Sequence, residues 1–202
     1  MIASPGTWIP VIAIAALAGC QSPARGTGGK DDRPANRPAS RRLTVFDFTR
    51  SGGLGAWEVE DDVVMGGRSS GALAISPEGH GVFSGQVSLE NNGGFSSIQL
   101  FFEPMDIAPY RTACLRLRGD GKRYQFLVEA EKNARHYYVY EFSTTGDWQT
   151  VEVPLAEMVP VRRGDRLAIP NFPGKTLAQV RFFIANGKPE SFRLEIDKVW
   201  LK

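Results

Sequence analysis

Residues 61–71, Asp61-Asp62-Val63-Val64-Met65-Gly66-Gly67-Arg68-Ser69-Ser70-Gly71, decide how the rest of the chain is read. Two carboxylates, a glycine pair, an arginine and two serines fall between a strand bearing Trp57 and a second, glycine-punctuated strand. A solvated loop has no use for Val63-Val64-Met65, and a core strand would not tolerate Gly66-Gly67-Arg68-Ser69. The stretch therefore reads as a structured loop folded back onto one end of a domain. Val63, Val64 and Met65 are expected to pin it there, and Gly66-Gly67 to make a turn few other residues allow. Asp61, Asp62 and Arg68 are left as polar groups free to meet a partner, beside Trp57.

Outward from this loop the apolar period is two. Alternation places strands at 43–48, 56–60, 82–89, 95–102, 112–118, 124–130, 136–142, 150–154, 178–185 and 192–201. Single helical turns fit 104–110 and 155–158. Many short strands with turn residues between them, and no convincing amphipathic helix, indicate an all-β fold, an antiparallel β-sandwich or jelly roll. Near the end, the alternation of Phe192, Leu194 and Ile196 slips at Asp197 and resumes with Val199 and Leu201. A one-residue slip predicts a bulge at Asp197-Lys198.

One face of these strands is core. The other carries Arg116, Arg118, Gln125, Glu129, Tyr137, Glu141, Arg181, Arg193 and Glu195. It reads either as a solvated face laced with ion pairs or as a polar, Tyr-bearing concave sheet that receives a glycan or peptide.

The 202 residues allow one ordinary domain and an appendage. Six of the 24 basic and two of the 22 acidic side chains lie in 21–42, leaving 18 and 20 for 43–202. The basic balance belongs to the tail, and a near-neutral fold argues against nucleic acid as a partner. Residues 8–19, almost wholly apolar and too short to span a bilayer, suit the core of a secretory signal. Leu17-Ala18-Gly19-Cys20 resembles a bacterial lipobox, which implies a signal peptide over 1–19 and lipid attachment at Cys20. Gln21 at the next position implies sorting to the outer membrane, facing the periplasm. The departure is an n-region without Lys or Arg. Residues 20–42, rich in Pro, Gly, Ser and charge, read as a disordered basic tether, reaching some tens of Å, that joins the anchor to a domain at 43–202.

Little in the sequence points to catalysis. His80 lies in a Pro-Glu-Gly-His-Gly turn and His136 opens a strand, neither beside a nucleophile in sequence. The glycine pairs lack the strand–loop–helix setting of a phosphate loop. Two cysteines, Cys20 and Cys114, form no disulfide framework or metal pattern. Asp47 and Asp197 are candidate ligands for a structural calcium if their strands are neighbours, or else simple turn and edge carboxylates. No other cofactor is expected.

Several segments together resemble one family. Trp57 followed by Asp61-Asp62-Val63-Val64-Met65-Gly66-Gly67-Arg68-Ser69 is similar to the W…ND.VMGG.S pattern of the complex I intermediate-associated protein 30 family. Residues 83–97 (FSGQVSLENNGGFSS), with Asn91 and Asn92, match its next segment, and Arg118-Gly119-Asp120-Gly121-Lys122-Arg123-Tyr124 its RGDG..Y turn. Trp148 with Val153-Pro154 fits a later strand. Asp61 stands where the pattern has Asn. The resemblance implies a galactose-binding-domain-like sandwich with no catalytic residues. It adds Asn91, Asn92, Arg118, Asp120 and Tyr124 to the candidate partner-binding residues. The function it implies is non-catalytic: holding a protein partner in assembly at a membrane surface, or, in the alternative, recognising a glycan as related carbohydrate modules do.

Overall fold

The computed structural model describes residues 41–51 and 53–202, with Ser51, Val64 and Met65 by backbone alone. The signal, Cys20 and the tether up to residue 40 lie outside the described residues. Thirteen strands occur among those described, all paired antiparallel. They are β1 (Leu43–Asp47), β2 (Trp57–Asp61), β3 (Ser70–Ile75), β4 (Gly81–Val87), β5 (Ser96–Asp106), β6 (Thr112–Arg118) and β7 (Arg123–Glu129). After these come β8 (Tyr137–Ser143), β9 (Gln149–Pro154), β10 (Val159–Arg162), β11 (Asp165–Arg166), β12 (Thr176–Ile184) and β13 (Glu190–Leu201). No helix among the described residues is long and apolar enough to cross a membrane.

The strands form two sheets, as the alternation predicts. One runs β3-β4-β13-β6-β9, with β1 also on β13; the other runs β11-β10-β8-β7-β12-β5-β2. The twelve-residue β13 holds the first sheet together. Its first half pairs with β4, its last residues pair with β1 along the same edge, and β6 lies on its other side. The register against β6 steps from Ile196 opposite Leu117 to Lys198 opposite Arg116, so Asp197 is the extra residue of the expected bulge.

Between the sheets, Phe83, Leu115, Leu117, Leu194 and Ile196 meet Ile98, Phe126, Val128, Val180 and Phe182, all nearly or fully buried. Each such side chain contributes about 1.5–3 kcal/mol by leaving water. Phe46, Phe48, Trp57 and Phe182 form an aromatic cluster at one side, with centroids 4.5–6.3 Å apart along the chain of contacts.

Three boundaries differ from expectation. The first strand stops at Asp47 because that carboxylate takes the Arg50 amide at 3.2 Å and the Thr49 hydroxyl at 2.7 Å, starting a four-residue helical turn at Phe48. The turn expected over 104–110 shrinks to Ile107–Tyr110, since Met105 and Asp106 still pair with Leu177 and Thr176. The turn at 155–158 is a short 3₁₀ segment, Leu155–Glu157.

Candidate functional site

The loop at 61–71 is held by its own carboxylates. Asp62 begins a 3₁₀ turn that closes at Gly66, whose φ of 89° is left-handed. The Asp62 carboxylate is fully buried and accepts four hydrogen bonds. The Ser69 amide donates at 3.0 Å and its hydroxyl at 2.5 Å; the Gly94 and Phe95 amides donate at 2.5 and 3.2 Å. Burial by itself raises the pKa of such a group. Here the Ser69 hydroxyl and the three amides outweigh it and hold Asp62 below the ordinary carboxylate value.

The glycines beside Asp62 are required by space. A Cβ on Gly67 would stand 2.2 Å from Asp62 Oδ1, and one on Gly93 2.6 Å from Oδ2. Asp61 makes a second tie, accepting the Gly71 amide at 2.9 Å and the Ser96 hydroxyl at 2.5 Å. Asn91 and Asn92 sit at φ 55° and 61°, a region asparagine tolerates, and Asn91 Nδ2 donates to the Gly66 carbonyl at 3.1 Å. Arg68 pairs with Glu90 at 3.3 Å in solvent. The two motif segments, 61–71 and 88–96, thus form one clasp around two aspartates.

At Val63 this arrangement corrects the apolar-pin expectation. Val63 is 60% exposed, so it does not anchor the loop; the side chains of Val64 and Met65 lie outside the described ones. Polar atoms of Asp62 do the anchoring. Among the proposed partner residues, Trp57, Asp62 and Tyr124 are built into the frame with 8%, 0% and 1% exposure. Asp120 accepts the Tyr124 hydroxyl at 3.0 Å, Lys122 Nζ at 2.6 Å and the Arg193 amide at 2.9 Å, tying the 118–124 turn to β13. Arg118 pairs with Glu195 at 2.7 Å and lies 5.3 Å over Trp148.

For the calcium reading, β1 and β13 are indeed neighbours and Asp47 is opposite Lys198. Each carboxylate already faces a cation, Asp47 that of Arg50 at 3.7 Å and Asp197 that of Lys198 at 3.4 Å. No group of three potential metal-holding side chains occurs among the described residues.

The polar face seen in the sequence divides between the sheets. Arg116, Arg118, Arg193 and Glu195 belong to the sheet of β13, whereas Gln125, Glu129, Tyr137, Glu141 and Arg181 belong to that of β12. On the latter, the alternation that buries Val180 and Phe182 turns Gln179, Arg181 and Phe183 outward, opposite Phe101, Gln99 and Ser97 of β5. This outward face is unusually closed for a sheet surface. Gln179 is 1% exposed and Arg181 4%.

Arg181 is the centre. Its Nη2 donates to the Ser97 hydroxyl at 2.7 Å and pairs with Glu60 at 2.9 Å, and its Nη1 donates to the Tyr137 hydroxyl at 3.2 Å. The guanidinium lies 5.5 Å from both the Tyr137 and Phe183 rings, and Phe95 stacks on Phe183 at 5.1 Å. Gln179 Nε2 donates to Gln99 Oε1 at 2.9 Å. Arg181 Nε and Gln179 Oε1 have no partner among the described residues. Burial raises the Glu129 pKa against the pull of the Ala134 amide, Arg181 and Tyr137. Phe101, 47% exposed, closes one end. The sequence flags Tyr137, Glu129 and Arg181, but Gln99, Gln179, Phe101 and Phe183 emerge only once β5 and β12 are known to be neighbours.

Comparisons with known proteins agree with this architecture. The family model described as complex I intermediate-associated protein 30 matches residues 46–196. The chain is 28% identical over 188 residues to "Complex I intermediate-associated protein 30, mitochondrial" of Drosophila melanogaster, covering 78% of this chain; it spans 62% of the length of that relative. A family 11 carbohydrate-binding module from Clostridium thermocellum, in complex with a β-1,3-1,4-mixed-linked tetrasaccharide, has a TM-score of 0.58 at 16% identity, covering 81% of this chain and 96% of that one. A family 29 module variant complexed with mannohexaose has a TM-score of 0.51 at 13% identity, covering 80% and 92%. At these identities the likeness to the solved structures is one of fold.

Proposed function

The chain belongs to the complex I intermediate-associated protein 30 family, and from that premise we propose that it is a non-catalytic binding module whose outward seven-stranded face receives a glycan. The observation that carries this reading is the Arg181 centre, flanked by Tyr137 and Phe183, with Gln99 and Gln179 beside it. Sugar rings present apolar faces that stack on aromatic rings and hydroxyls that pair with planar amide, guanidinium and carboxylate groups. Here Phe101, Tyr137 and Phe183 are the partly exposed rings that can stack, Gln125 and Glu141 are the accessible polar groups beside them, and Gln99, Gln179 and Arg181 lie nearly buried behind. The similarity in fold to modules solved with oligosaccharides supports the same reading. The non-catalytic part of this reading is supported by the family assignment and by the binding modules among the structures of similar fold. A glycan microarray probed with the folded chain tests it. Binding to a defined glycan class is expected; a blank array contradicts it.

The sequence alone favours a protein partner, and one observation keeps that as the second reading. Val63 and Leu89, 60% and 42% exposed, stand on the loops of the clasp, and a hollow of about 630 Å³ lies beside Arg68, Leu89, Glu90 and Pro189. Apolar side chains on a rigid loop suit a docking surface, and the fly relative is named as associated with a complex I intermediate. Photo-crosslinking from position 89 in cells, with one recurrent protein captured and none from position 55, is the outcome this reading expects.

We further propose attachment to the cell envelope through lipid on Cys20, with the domain held in the periplasm by the tether. Labelled palmitate should enter the wild-type protein and not Cys20→Ala.

A further inference from the structure

The following rests on the glycan reading and adds the charge of the ligand. At the β10–β11 edge of the seven-stranded sheet, Arg135, His136, Tyr137, Arg162 and Arg163 line a hollow of about 350 Å³. Several guanidinium groups elsewhere in the domain are matched by carboxylates: Arg118, Arg181 and Arg193 each have a carboxylate oxygen at 2.7–2.9 Å, while Arg111 and Arg116 donate to backbone carbonyls. Among the described residues, no carboxylate lies within 4.0 Å of Arg135, Arg162 or Arg163. Asp165 is the register partner of Arg162 and is still outside that distance, and Glu131 acts on Tyr138 from nearby. Three guanidiniums without a carboxylate partner thus share one concavity.

Two features separate this hollow from an ordinary basic surface. Arg163 holds φ 54° and Gly164 φ 90°, so both central residues of the β10–β11 turn are left-handed. Such two-residue turns favour Asn or Gly, and the arginine at the first position sits against its backbone preference. Tyr137 also connects the hollow to the polar face. It lines the hollow while its hydroxyl accepts from Arg181. A ligand lying along the face would bring its end, or a substituent, to these arginines.

We propose that this hollow binds the anionic substituent of an acidic sugar unit, a carboxylate or a sulfate, so that the module's ligand is a polyanionic glycan. Guanidinium forks match the planar oxygens of a carboxylate and the paired oxygens of a sulfate, two donors to two acceptors. Solvent-facing pairing of this kind weakens with salt.

The test is biolayer interferometry of the full chain on immobilised polygalacturonate, fully methyl-esterified pectin, dextran sulfate, mixed-linkage β-glucan and poly-L-glutamate. The variants are Arg135→Gln/Arg162→Gln/Arg163→Gln and the charge-keeping Arg162→Lys/Arg163→Lys, each checked by circular dichroism. Expected is binding to polygalacturonate or dextran sulfate, with the stronger of the two identifying the acid group. That binding should fall about tenfold or more in the triple Gln variant, and measurably in the Lys variant, which keeps charge but loses the fork. Methyl-esterified pectin should bind weakly. Binding to neutral β-glucan that the triple variant leaves unchanged, with no preference for the acidic polymers, overturns the acidic-ligand inference and leaves the glycan face standing. Equal binding to poly-L-glutamate overturns it in favour of an acidic protein. No binding to any polysaccharide overturns both.

Discussion

The amide of Gly94 donates to the Asp62 carboxylate at 2.5 Å across 32 residues of chain, and this contact joins the two motif loops into one clasp. Removing the carboxylate strands three amides and a hydroxyl in a buried site. A buried donor left unpaired costs about 1–3 kcal/mol, partly relieved by water or relaxation. Asp62→Ala should therefore lower unfolding stability by about 3 kcal/mol in urea titration. A loss under about 0.5 kcal/mol would show that the clasp closes without it.

Gly67 faces the same carboxylate. An added methyl group would stand 2.2 Å from Asp62 Oδ1, and the four hydrogen bonds leave that side chain little room to move. Gly67→Ala should cost about 1–3 kcal/mol, as overpacking does. Gly55, with open space around its Cβ position, supplies the control, and Gly55→Ala should leave the melting temperature nearly unchanged.

The acid limb of the stability curve follows from three carboxylates held below their ordinary values. Asp62 is held by Ser69, Gly94 and Phe95 against burial, Asp120 by Lys122, the Arg193 amide and Tyr124, and Glu195 by Arg118 and Arg193. Between the folded and unfolded pKa values the unfolded chain binds more protons, so stability rises with pH there. Their contribution is present in full above the unfolded values, 3.8 for the aspartates and 4.5 for the glutamate, and is lost as pH falls through the lower folded ones. Urea midpoints measured from pH 6 down to pH 2.5 should fall below about pH 4.5, and the fall should be shallower in Asp62→Asn. An equal slope in that variant would remove Asp62 from the account.

How much of this was legible in the sequence depends on the distance over which the chain acts. Thr112–Arg118 alternates so cleanly that its strand and buried face, Ala113, Leu115 and Leu117, are read directly, and the slip at Asp197 gives the bulge. Pro160 and the brevity of Asp165–Arg166 hid β10 and β11, and with them the edge that carries Arg162 and Arg163. In the clasp, the sequence supplied the right residues and, at Val63, the wrong agent. Apolar Val63 looked like the anchor, because no periodicity tells that Asp62 meets amides in another loop. The outward face was legible by alternation, but which polar residues share a sheet follows from pairing between β5 and β12, some 80 residues apart, as in the Gln99–Gln179 contact.

The most direct test of the binding reading is affinity electrophoresis of the wild-type chain beside Phe101→Ala, through native gels containing mixed-linkage β-glucan, mannan, pectin or polygalacturonate. Phe101 is 47% exposed at the end of the Arg181 face, so its loss should leave the fold intact. The account predicts that at least one polysaccharide retards the wild type and that Phe101→Ala migrates nearer to its mobility in an empty gel. Unchanged mobility of the wild type in every gel, or equal retardation of the variant, contradicts it.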